Sequence, residues 1–187
     1  MNNPAEEIVS VWAQLCKKQF VMMNVPYQSK SESGKSITRE IDLLTIDSPN
    51  HFIDYEVKWR TTSWVNATES ETIDGISEQL NNDYRNSMIA EIAKKFVGTK
   101  MFQVKKILVT PRKHFGKYSL EQRVLELKGN DIEIEWFENV LSDLMLYIKD
   151  SPNKGQFDST AIGAIRILQE IQDEPKFRQY QNNRMRG

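Results

Sequence analysis

At 187 residues the chain is long enough for one sizeable core, and 39% hydrophobic with 27% charged residues is ordinary for a water-soluble globular domain. The formal net charge of −1 excludes a globally basic polyanion binder, and no apolar run approaches the length needed to span a bilayer. The single Cys16 and two separated histidines leave no internal disulfide and no zinc cluster. The opening Met-Asn-Asn-Pro-Ala-Glu-Glu lacks the basic and apolar parts of a signal peptide, so a cytoplasmic location is expected.

Pro4 to Lys18 reads as a helix, with Pro4 near its start, Glu6 and Glu7 in the first turn and Lys17 and Lys18 in the last. Ile8, Val11, Trp12 and Leu15 form its apolar stripe, which Glu7 borders through Val11, while Glu6 aligns with Ser10 and Ala13 on the wetter side. Phe20 to Tyr27 is a short strand ending at Pro26, and Gln28 to Ser36 a polar loop. Ser33-Gly34-Lys35-Ser36 is not a phosphate-binding loop, because the first glycine would fall at Ser29 and a strand follows where a helix is required.

Two apolar-rich runs, Ile37 to Ile46 and Phe52 to Trp59, flank the turn formers Asp-Ser-Pro-Asn and predict an antiparallel hairpin. Alternation puts Glu40, Asp42, Leu44 and Ile46 on one face of the first strand and Asp54, Glu56 and Lys58 on one face of the second. Asp42 then opposes Glu56 if Asp47 to His51 is the loop, or Asp54 if the loop is Asp47 to Pro49; an even loop separates them. Inward carboxylates repel one another and lose hydration unless a cation compensates them. Mg²⁺, held by one or two carboxylates plus water and phosphate, is such a cation, and a nearby lysine would orient water and offset charge on phosphate. The rival explanation is the solvated outer face of an edge hairpin.

Thr61 to Ser70 is a polar loop, and a long helical pattern follows through Ile73, Ile76, Leu80, Tyr84, Met88, Ile92 and Phe96, ended by Gly98. Gln79 flanks this stripe, and Tyr84 reads as core. Val104 to Thr110 is a buried strand, Ser119 to Lys128 a helix, Ile132 to Phe137 a half-exposed strand and Glu138 to Lys149 a further helix. From Ile92 to Leu120 the chain carries Lys94, Lys95, Lys100, Lys105, Lys106, Arg112, Lys113 and Lys117 without one acid, which suits a phosphate backbone or, equally, a solvated surface. The expected fold class is α/β, a mixed central sheet flanked by helices. Residues 1–150 form the main domain, 151–174 a C-terminal helix packed on it, and 175–187 a flexible basic tail.

Asp42 followed fourteen residues later by Glu56-Val57-Lys58 resembles the D…(D/E)xK signature of the PD-(D/E)XK nuclease superfamily, although Ile41 stands where the proline of the name would be. The resemblance covers roughly Ala5 to Ile148. It implies a restriction-endonuclease-like core and a Mg²⁺-dependent deoxyribonuclease, with Mn²⁺ as substitute, acting as an endonuclease in repair or defence. It further implies Asp42, Glu56 and the Val57 carbonyl as metal ligands, Lys58 on the attacking water, Glu7 as a supporting first-helix glutamate and Gln79 on substrate or lysine. For Glu7 the helix dipole alone is a sufficient explanation, and the Gln79 match is weak, since the family's following Tyr comes after four residues and Tyr84 after five. DNA would be contacted by Lys94, Lys95, Lys105, Lys106, Arg112, Lys113 and Lys117, with no membrane partner and a homodimer as the oligomeric option. The alternative is a non-catalytic nucleic-acid-binding or assembly protein that keeps the fold.

Overall fold

The computed structural model describes residues 3–31, 33–59, 69–98, 101–112 and 120–150. The expected C-terminal helix and tail over 151–187, the loop 61–68 and the basic residues Lys100, Lys113 and Lys117 lie outside them. Helix α1 (Pro4–Leu15) leads into strands β1 (Phe20–Lys30), β2 (Ser36–Ser48) and β3 (His51–Val57). Helices α2 (Glu69–Leu80) and α3 (Asp83–Val97), strand β4 (Gln103–Thr110), helix α4 (Leu120–Gly129), strand β5 (Ile132–Trp136) and helix α5 (Phe137–Asp150) complete the order. The five strands form one sheet in the order β1-β2-β3-β4-β5, antiparallel from β1 to β3 and parallel from β3 to β5. This is the expected α/β class with a mixed central sheet and flanking helices.

The two faces are packed differently. On one, Leu43, Ile53, Tyr55, Val57, Ile107 and Val109 meet Val9, Trp12 and Ala13 of α1 and Val140 and Leu144 of α5, all buried. On the other, Leu44 and Phe52 pack against Ile89 and Ala93 of α3, and Leu108 against Ile76, Leu80 and Leu127 of α2 and α4. Alternation along β3 therefore sends Asp54 and Glu56 to the second face, under α2 and α3.

Several boundaries differ from the sequence reading for identifiable reasons. Strand β1 continues through Pro26 to Lys30, pairing with Ser36, where a loop from Gln28 was expected. Pro26 is tolerated because β1 is an edge strand, where a missing N–H need not break the ladder. The long helical pattern is two helices: the Asn82 side chain accepts the backbone N–H groups of Tyr84 and Arg85 and starts α3 afresh, while Gly98, with φ of 70°, closes it. The buried stripe of α3 is Arg85, Ile89 and Ala93, and Tyr84 is 43% exposed, so Tyr84 is surface rather than core. On α1 the buried positions are Ala5, Val9, Ser10, Trp12, Ala13 and Leu15, a stripe rotated from the one expected because alanine and serine serve as close-packing residues there.

Candidate functional site

The site begins with the hairpin register. The turn is tight, with Ser48 paired to His51 across Pro49 and Asn50, and a two-residue connection by itself would set Asp42 opposite Val57. A bulge between Ile46 and Ser48 shifts the pairing by one, giving Ile46↔Phe52, Leu44↔Asp54 and Leu43↔Tyr55. One step further along that register Asp42 opposes Glu56, the arrangement anticipated for an Asp47 to His51 loop. The extra residue of the bulge is thus what returns both carboxylates to one face.

At the C-terminal end of β3 the Asp42 carboxylate accepts the backbone N–H of Val57 at 2.7 Å. The Lys58 N–H donates to the Val109 carbonyl at 2.9 Å, so the residue just after the strand is still tied to β4. Its ammonium group forms an ion pair with Glu56 Oε1, and the Gln79 amide donates to the same oxygen at 2.7 Å. Asp42, Glu56, Lys58 and Gln79 are therefore brought together. Burial pushes the Asp42 carboxyl up to about 7, and the Glu56 charge adds to this, against the Val57 N–H and the Lys58 charge.

On the first helix, Glu6 is coupled electrostatically to this group. Burial raises the Glu6 pKa, the Asn3 side chain lowers it, and the charges of Glu56 and Glu40 raise it further; Glu6 in turn acts on Asp42. The sequence favoured Glu7 because the stripe was placed on Ile8 and Val11, whereas the helix turns Ala5, Val9 and Trp12 inward.

The sequence reading also missed Arg85. This side chain is fully buried, donating Nε to Asp54 Oδ2 at 2.8 Å, Nη2 to Asp54 Oδ1 at 2.6 Å and Nη1 to Glu56 Oε2 at 2.8 Å. Burial pulls the guanidinium pKa down, but Asp54 and Glu56 more than offset this and hold it above its ordinary value. Burial likewise lifts the Asp54 carboxyl against the pull of Arg85. Both Asp54 oxygens accept from the guanidinium, a paired, charge-assisted arrangement that favours the ionised carboxylate. The available signal was an arginine four residues before Ile89 on a helix facing two inward carboxylates of β3.

Among the described residues the basic stretch is not gathered on one surface. Lys94 and Lys95 lie on α3, where Lys95 pairs with Glu91 at 2.6 Å. Lys105 and Lys106 are consecutive on β4 and project to opposite faces. Lys105 pairs with Glu133 at 2.8 Å, and Lys106 donates to the Asn81 side chain at 2.6 Å. Arg112 lies over the Trp136 ring, 5.4 Å from its centroid, and its backbone N–H donates to Glu138. Glu91 just before the run, and Glu133 and Glu138 well after it, thus reach a run that contains no acid of its own.

Among the described residues no group of three or more His, Cys, Asp or Glu is placed to hold a metal. Two carboxylates, one of them destabilised in its ionised form, are instead a partial set of hard oxygen donors. That set fits Mg²⁺, which keeps several waters and takes substrate phosphate rather than needing an all-protein cage. Among the described residues no helix is long and apolar enough to cross a membrane. Comparisons with protein-family models, curated proteins and solved structures gave no match to this chain.

Proposed function

We propose that this chain is a Mg²⁺-dependent deoxyribonuclease of the PD-(D/E)XK type, an endonuclease acting in repair or defence. The observation that carries the reading is the bulge-enforced register that sets Asp42 on the face of Glu56, with Lys58 on the Glu56 carboxylate. Asp42, Glu56 and the Val57 carbonyl would hold the ion. When bound, Mg²⁺ would supply Lewis-acid activation of water and neutralise charge on the scissile phosphate. Lys58, a compact positive charge released from Glu56, would orient the attacking water and stabilise the phosphorane-like charge, while Gln79 keeps Glu56 in place. DNA as substrate rests on the acid-free run from Ile92 to Leu120, of which Lys94 lies in the last turn of α3 and Lys106 donates to Asn81, where α2 gives way to α3.

One observation favours a second reading, a non-catalytic nucleic-acid-binding or assembly protein: Glu56 already accepts Lys58, Gln79 and Arg85, so its charge is compensated without any ion. Linear, branched and single-stranded DNAs incubated with Mg²⁺ separate the two. On the nuclease reading Lys58→Ala lowers cleavage by at least ~10²–10³-fold, the scale of losing one charge-stabilising donor, yet keeps Mn²⁺ binding. Asp42→Ala loses both. Full Mg²⁺-dependent activity in Lys58→Ala overturns the assignment, and a wild-type chain that neither binds Mn²⁺ nor cleaves any substrate favours the second reading.

A further inference from the structure

We propose that Arg85 is the positioning residue of the metal site, dividing the two oxygens of Glu56 between a structural and a functional role. This inference rests on the nuclease reading. The Glu56 side chain is completely buried, and its oxygens face different neighbours: Oε2 accepts Arg85 Nη1, whereas Oε1 accepts the partly exposed Lys58 and Gln79. Arg85 thereby closes Oε2 from the helix side. Oε2 is held by a buried partner, whereas the Lys58 partner of Oε1 is partly exposed and can leave, so Oε1 is the oxygen a divalent cation would take in its place and Glu56 would ligate through one atom.

Asp54 fixes the direction of that contact. A planar guanidinium held by two parallel bonds at 2.6 and 2.8 Å has no freedom to swing, and its third nitrogen position is then aimed at Glu56. Lysine cannot reproduce this, because an ammonium group is a point charge without a fork. The helix break contributes too. Six residues of unbroken α-helix rotate about 240° beyond whole turns, which would carry Arg85 off the face that holds Gln79. Restarting the helix at Asn82 lets α2 and α3 each present one donor to Glu56.

The test measures Mn²⁺ affinity by electron paramagnetic resonance, together with thermal melts, on the full chain carrying Arg85→Lys or Asp54→Asn. Arg85→Lys keeps the charge and loses the fork, so its dissociation constant is expected to rise ~10–100-fold, the usual scale for losing an outer partner of a metal ligand. Asp54→Asn removes one of the two bonds that aim Arg85 but keeps Arg85 itself, so its dissociation constant is expected to rise by clearly less than that of Arg85→Lys, with the melting temperature lowered as well. If Arg85→Lys does not fold, the double variant Asp54→Leu, Arg85→Met removes the buried pair together and is expected to show the same loss of affinity. Wild-type affinity in the folded Arg85 variant, or an equal loss in Asp54→Asn, overturns the positioning role while leaving the nuclease reading in place. A wild-type chain that binds no Mn²⁺ overturns the nuclease reading, and this role falls with it.

Discussion

Among the described residues, one face of the sheet buries apolar and neutral polar side chains, while the other adds a buried ion network to its apolar clusters. Under α1 and α5, Leu43, Ile53, Tyr55 and Val109 meet Trp12, Val140 and Leu144, and the polar groups there are neutral ones satisfied in place, Thr45 and Tyr55 donating to Gln19 at 3.0 and 3.2 Å and Trp12 Nε1 to Asp143 at 2.9 Å. Under α2 and α3, the same sheet buries Asp54, Glu56 and Arg85 with no exposure at all. Apolar contacts fail gradually, each lost methylene costing about 1 kcal/mol. A buried ion network is tolerated only when complete, because any member left alone keeps its desolvation cost without its partner. The candidate site therefore sits on the face where geometry is most tightly specified, and variants on the two faces should behave differently.

The largest effect is expected from Arg85→Leu, which strands the buried Asp54 carboxylate and takes one of three partners from Glu56. A loss of ~3–5 kcal/mol, measured by urea unfolding, is expected from an uncompensated buried charge. On the apolar face Leu144→Ala should cost ~2–5 kcal/mol by the same measurement, through a cavity, and leave Mn²⁺ affinity unchanged in the folded fraction. If Arg85→Leu proved no worse than a surface substitution, the contrast between the faces would collapse. Equal loss of Mn²⁺ affinity in both variants would show that general loosening, and not the network, governs the site.

The next effect sharpens the comparison through pH. The Asp42 carboxyl has an ordinary value near 3.8 and is pushed up to about 7 in the folded chain. Between those values the folded state binds the proton and the unfolded state does not, so metal-free stability falls as pH rises through this window and stays low above about 7. Each unit of pKa corresponds to about 1.4 kcal/mol, which makes the total a few kcal/mol. Asp42→Asn still accepts the Val57 N–H but cannot ionise. Its melting temperature is expected to exceed wild type at pH 8 without metal, with the difference vanishing toward pH 4. Divalent metal should reverse the order above pH 7, since only the ionised wild-type carboxylate is a ligand. A constant difference across the pH range would remove Asp42 from the strained pair.

The apolar face was legible in the sequence because strand alternation and helical spacing both report hydrophobic burial. The spacing within β2 and β3 likewise brought Asp42, Glu56 and Lys58 into consideration together, and Gln79 flanked the stripe of its helix. What pattern could not show was a position that is buried and charged. Arg85 occupies the first inward position of α3, yet an apolar count skips it and shifts the stripe to Tyr84 and Met88. Glu6 was lost for a related reason: Ala5, Ser10 and Ala13 are small or polar and do not register as an apolar stripe, so Ile8 and Val11 drew the helix face toward Glu7. The register was undecidable without the bulge, because the tight Pro49-Asn50 turn and the observed pairing differ by one residue.

The smallest effect tests the hinge between these two kinds of information, the break at Asn81 and Asn82. Asn82 has an extended backbone, and its side chain accepts Tyr84 and Arg85 N–H at 3.0 and 3.3 Å, whereas an apolar side chain leaves those donors bare. Asn82→Ala is expected to cost ~1 kcal/mol of stability in urea unfolding, the usual value of an N-cap. Asn82→Asp retains the acceptor and adds a charge favoured at a helix start, so it should match or exceed wild type. Because Arg85 stands three residues from the cap, Asn82→Ala should also weaken Mn²⁺ binding, whereas a substitution of equal cost at exposed Glu91 should not. An Asn82→Ala protein that loses stability but binds Mn²⁺ like wild type would mean that the aim of Arg85 is set by Asp54 alone, and that the helix break only shapes the fold.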